Sequence, residues 1–168
     1  MNFCTKLFSL LIHHQANADA LLLSEQLDRQ DQLALIFADF FQNITLDYSL
    51  TSLKKIDYYL SKVRNYFQLH NQQPKSIQEK LAYTDEITRV ILRVGAYLGE
   101  TLRQQNKNWI WVNTKEQICT DTGNLKMHRL ILTDHIHKID PMHVVMDLIC
   151  AEEQPSSLYQ YAKDVLGE

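Results

Sequence analysis

Four histidines fall late in the chain, at His128, His135, His137 and His143, among Asp134, Asp140 and Asp147. Imidazole nitrogens and carboxylate oxygens are donors for zinc and similar ions, which need three or four at once. On a strand, His135 and His137 would share one face, and on a helix His143 and Asp147 would share another. His135, His137 and His143 are therefore the candidate metal ligands. Their spacing matches no established metal signature, so the expectation is no cofactor, with a transition metal as the alternative.

A second candidate is Gly95-Ala96-Tyr97-Leu98-Gly99-Glu100. Inside a helix, two glycines four residues apart bare one face and let another backbone come close. Close packing explains such a face; a small-ligand groove lined by Gly95, Tyr97, Gly99 and Glu100 is the functional alternative. Glu100 can be a solvated charge, an ion-pair partner of Arg93 or Arg103, or a buried acid.

The third candidate is a surface. Tyr58, Tyr59, Tyr66 and Phe67 interleave with Lys54, Lys55, Lys62 and Arg64. Rings beside cations can stack nucleic-acid bases, can anchor a protein partner, or can form the margin of a solvated helix face. Tyr58, Tyr59, Lys55 and Lys62 are the expected contact residues for another protein; nucleic acid is the less favoured partner. No nucleophile elbow, phosphate loop, zinc-protease helix or dinucleotide glycine pattern occurs. Cys4, Cys119 and Cys150 form no close pair, and an odd thiol suits a reducing compartment. Cys119 and Cys150 fall in apolar runs and are expected to be small buried hydrophobes.

These residues need elements to hold them. Phe3, Leu7, Leu10 and Leu11, then Leu33, Ile36, Phe37, Phe40, Phe41 and Ile44, recur at helical spacing, so residues 1–44 are expected to be helical. An extended entry at 44–48 leads into a helix with Leu53, Ile56, Leu60, Val63 and Phe67 along a narrow seam, capped by Ser49 or Thr51. After the polar connection 70–75, Ser76-Ile77-Gln78-Glu79 matches a capping box opening a second helix through Gly95 and Gly99. From Asn108 strand-forming residues take over. Asp121 to Asn124 reads as a hairpin turn, and His135 to His137 as a further short strand. Asp140-Pro141 opens another helix, and a last one runs from about Ser156 to Leu166, ended by Gly167.

The 168 residues, 45% hydrophobic and 22% charged, suit one α+β domain, helix-rich with a small antiparallel sheet in the C-terminal half. Its parts are a helical stretch 1–44, central helices 45–107, the sheet 108–139 and C-terminal helices 140–168. Residues 51–107 carry ten Lys and Arg against five Asp and Glu, while both flanks are acidic; internal complementarity accounts for this more simply than a nucleic-acid footprint. No apolar run reaches the ~20 residues that cross a bilayer, and no export signal is evident. A cytoplasmic location without membrane attachment is expected; self-association is left open.

Leu46-Asp47-Tyr48-Ser49, Ser52-Leu53, Ile56-Asp57, the Gly95–Glu100 segment and Trp109 to Trp111 together resemble a broad group of small uncharacterised bacterial cytoplasmic proteins, over roughly residues 44–150. The resemblance implies no activity and no catalytic residue; an immunity role against a partner toxin is imaginable from it. The leading expectation is a non-catalytic interaction protein. An enzyme or ligand binder at the glycine groove and a metal-binding protein are the alternatives.

Overall fold

The computed structural model describes residues 16–27, 35–71, 76–120, 123–151 and 157–168; the expected helix before residue 16 lies outside them. Helix α1 occupies residues 16–25. A single 3₁₀ turn, Ala38–Phe41, precedes α2 (Leu50–Asn71) and α3 (Ile77–Gln105). Strands β1 (Ile110–Thr120), β2 (Gly123–Thr133) and β3 (Lys138–Ile139) form an antiparallel sheet in that order, followed by α4 (Pro141–Cys150) and α5 (Leu158–Leu166). The architecture is helix-rich α+β, with the sheet in the C-terminal half.

Local chemistry sets most of the boundaries. Ser49 Oγ accepts the Ser52 amide at 3.1 Å, capping α2. At α3, Ser76 and Glu79 complete a reciprocal capping box. Asp140 accepts the His143 amide at 3.0 Å, with Pro141 in the first turn of α4. Gly167 closes α5 at φ 75°, a left-handed conformation that glycine adopts without penalty.

Two expectations fail here. The apolar stripe from residue 35 to 44 is not a helix, because Phe37 takes a left-handed φ of 56° and only the one 3₁₀ turn follows. Its aromatic rings pack onto α2 instead, with Phe41 4.6 Å and Phe40 5.5 Å from Tyr59 between ring centroids. The stretch His135–His137 is a turn rather than a strand. Asp134 Oδ1 accepts the amides of Ile136 and His137, and His135 sits at φ 76°. A short polar side chain that satisfies the backbone locally competes successfully with sheet pairing.

The core gathers Leu53, Ile56, Tyr59 and Val63 of α2, Val90, Val94, Leu98 and Leu102 of α3, Trp111 and Leu132 of the sheet, and Val145, Ile149, Leu158 and Ala162 of the last two helices. α4 packs against both long helices, so α3 lies chiefly on α4 rather than along the α2 seam. α5 is pinned to α2 by one carboxylate. Asp57 accepts the Leu158 amide at 2.6 Å and the Tyr159 amide at 3.2 Å, satisfying two free donors at a helix start 101 residues away. Burial pushes the Asp57 carboxyl up while those two amides pull it down. Asp57→Ala is expected to cost about 1–2 kcal/mol, the usual value of a helix cap, and thermal unfolding should record a fall of a few degrees.

Candidate functional site

The Gly95–Glu100 segment lies in mid-α3 and is buried throughout. A Cβ placed on Gly95 would stand 2.8 Å from the Met142 Cα, so the missing side chain admits the first turn of α4. A Cβ on Gly99 would collide with the Cζ2–Cη2 edge of the Trp111 indole, which occupies that space. A backbone thus fills one glycine's space and an aromatic ring fills the other's, as close packing requires, and neither glycine leaves room for the ligand groove that was the alternative.

The polar members of the segment are equally committed. Glu100 is 0% exposed. Its Oε1 accepts the Trp111 indole Nε1–H at 2.8 Å, and Arg103 grips both oxygens through Nε at 3.0 and 3.1 Å and through Nη2 at 2.8 Å. A buried carboxylate is tolerable only when charge and hydrogen bonds replace its water, and here one guanidinium and one indole do so.

Tyr97 stacks on Tyr48 with centroids 4.8 Å apart. Its oxygen accepts the Tyr48 amide at 2.9 Å and lies 2.6 Å from Ser52 Oγ. Because Ser52 donates its only hydroxyl proton to the Ser49 carbonyl, the Tyr97 proton goes to Ser52. The phenol thus bonds the α2 entry loop, where Tyr48 adopts φ 56°, onto α3. None of these groups is left to meet a substrate.

The α2 face is partly as expected. Tyr58 is 60% exposed and Lys55 and Lys62 are exposed. Lys62 Nζ stands 4.9 Å from the Tyr58 ring centroid and 5.5 Å from that of Phe40, within cation–π range. Lys55 donates to the Thr45 carbonyl at 3.2 Å. Tyr59 is the correction: it is fully buried, with its hydroxyl donated to the Ile36 carbonyl at 2.8 Å. Its spacing, three residues after Ile56 and four before Val63, already placed it on the apolar seam.

The histidines do not converge. His137 Nδ1 lies 3.0 Å from Asp134 Oδ2, His143 Nε2 lies 3.6 Å from Asp147 Oδ2, and His135 is exposed in the turn. Among the described residues no three His, Cys, Asp or Glu are arranged to hold a metal ion. The side chains of His128 and Cys119, and all of Cys4, lie outside the described residues. Cys150, expected inside, is exposed at the end of α4, and its partial burial raises the thiol above its ordinary value.

Two hollows escaped the sequence reading. One, about 430 Å³, is walled by Phe67 and His70 of α2, Tyr83 and Ile87 of α3, and Cys150. The other, about 280 Å³, lies among Leu92 of α3, Arg129 and Leu130 of β2, and Met142 and Met146 of α4. The exposed Leu92 and Met146 were its only trace in the sequence, as apolar residues that the core does not take.

Comparison of the chain with family models, curated proteins and solved structures found no match. Among the described residues no helix is long and apolar enough to cross a membrane.

Burial pushes the Tyr97 phenol up to about 12. Its proton-dependent share of stability is complete below pH 10 and is lost as pH rises through about 12, because the unfolded phenol ionises first. Tyr97→Phe is accordingly expected to cost about 1–3 kcal/mol at neutral pH, through the orphaned Tyr48 amide. Denaturant unfolding of both proteins should show that gap narrowing between pH 10 and 12.

Proposed function

We propose that this chain is a non-catalytic interaction protein of the bacterial cytoplasm that binds another protein through the face of α2 bearing Lys55, Tyr58 and Lys62. The observation that carries this reading is the exposed Tyr58 ring under the Lys62 ammonium, beside the partly exposed Phe37 and Phe40 of the preceding turn. A broad aromatic surface held rigid by its neighbours loses little side-chain freedom on docking, which is why tyrosine is favoured at binding hot spots. Lysines at its border suit an acidic partner surface.

Two facts support a binder over a catalyst. The acid and phenol of the central segment are spent on the fold, and His137 and His143 sit in two separate ion pairs. An immunity-type role, in which the bound partner is a toxin, is the narrower form of this reading and rests on the resemblance over residues 44–150. The wide acidic flanks and the small number of cations on this face favour protein over nucleic acid.

Affinity purification of the full chain from native cells tests the proposal. The wild type should recover one reproducible protein, and Tyr58→Ala with Lys62→Glu should reduce its recovery at least tenfold while the melting temperature stays within about 1 °C, as for exposed substitutions. Equal recovery by the double variant, or recovery that nuclease abolishes, would overturn it.

A further inference from the structure

Strand β2 is paired along one edge by β1, from Ile110 opposite Thr133 to Thr120 opposite Gly123. Along its other edge β3 pairs only Leu132 and Thr133. Among the described residues no strand continues that cover toward Gly123. The direction of the backbone groups follows from one hydrogen bond. The Trp111 amide is donated outside the ladder, to Asn17 Oδ1 at 3.0 Å, so Trp111 and its partner Leu132 turn their polar groups away from each other. Those of Leu132 meet Ile139 of β3. Alternation then turns the N–H and C=O of Leu130 to the same side, one step beyond where β3 ends.

The 280 Å³ hollow lies at this place. Consecutive strand residues point to opposite faces, yet Arg129 and Leu130 both line it, so it opens across the strand's edge. Leu92, Met142 and Met146 make its floor apolar, and the Arg129 guanidinium stands at the rim, 3.9 Å from Asp140. Strand β2 contains Lys126 and Arg129 and no carboxylate.

We propose that this edge accepts an extended segment of a partner protein as a fourth strand, with an apolar side chain in the hollow and an acidic side chain near Arg129. An extended backbone is the occupant that matches a strand edge, donor to acceptor, while placing alternate side chains into an adjoining pocket. Charge argues against a second copy of the chain, because antiparallel pairing of two β2 strands would bring Lys126 and Arg129 of each copy together, and β2 has no carboxylate of its own to separate them; Asp140, beside Arg129, answers only one cation of each copy. This surface is distinct from the α2 face and does not depend on it.

The test is to pan a phage-displayed library of random twelve-residue peptides on the full chain. Enriched peptides should alternate apolar and polar residues, include Asp or Glu, and slow hydrogen exchange at the Leu130 amide while leaving α2 unchanged. Leu130→Pro deletes a donor turned to the side that β3 leaves unpaired and should weaken peptide binding at least tenfold, more than Leu130→Ala, which keeps the amide. Met146→Glu charges the hollow and should weaken binding comparably, which keeps the test decisive if the proline variant does not fold. Failure to enrich any peptide, or peptides that bind Met146→Glu as well as wild type or that protect amides elsewhere, would overturn the proposal.

Discussion

The Trp111 indole sets its Cζ2–Cη2 edge in the space that Gly99 leaves open and gives its N–H to the carboxylate of Glu100, one residue further along the same helix. Ring and carboxylate each require the other. Without the glycine the ring would collide with a Cβ, and without the ring the acid would be buried beside a single cation. Desolvating a carboxylate costs several kcal/mol, and Glu100 offsets this through Arg103, whose side chain is 27% exposed and keeps partial contact with water. The result fixes the start of β1 against the middle of α3.

From that junction the rest of the molecule is placed. Gly95, one turn earlier, seats the start of α4. Tyr97, between the glycines, secures the loop entering α2, and Asp57 on α2 then caps α5. The six-residue segment thus contacts three other parts of the chain through three chemistries: a bare backbone, a phenol and a carboxylate. Its unusual composition is a packing requirement. Among the described residues, the outer face of α2 and the uncovered edge of β2 are surfaces that the core does not use, and the two proposed contacts are placed there.

Features with short-range causes were legible in the sequence. The capping box at Ser76, the Asp140-Pro141 opening and the Gly167 stop each depend on residues within one helical turn, so their spacing carries the information. The antiparallel pairing of β1 with β2 was readable because strand formers flank the cluster Asp121 to Asn124; of that expected turn, Asp121 and Thr122 lie outside the described residues, and Gly123 and Asn124 belong to β2. Tyr59 was legible from its spacing and was misread because its companions Tyr58 and Lys62 suggested a surface. His135 and His137 were misread because alternation was weighed above the power of Asp134 to cap its own turn. The pairing of Glu100 with Trp111 and the hold of Asp57 on α5 were out of reach: each joins residues that only tertiary packing brings together, and no local pattern announces them. The β2 edge was hidden for a related reason, since a strand's cover depends on where the next element turns away.

Hydrogen exchange of the Trp111 indole N–H, followed by NMR in the full chain, tests the central junction most directly. A proton sealed between Gly99 and Glu100 should exchange only through opening of the core, at a rate close to that of the slowest α3 amides. Exchange as fast as that of a solvent-exposed indole would contradict the arrangement.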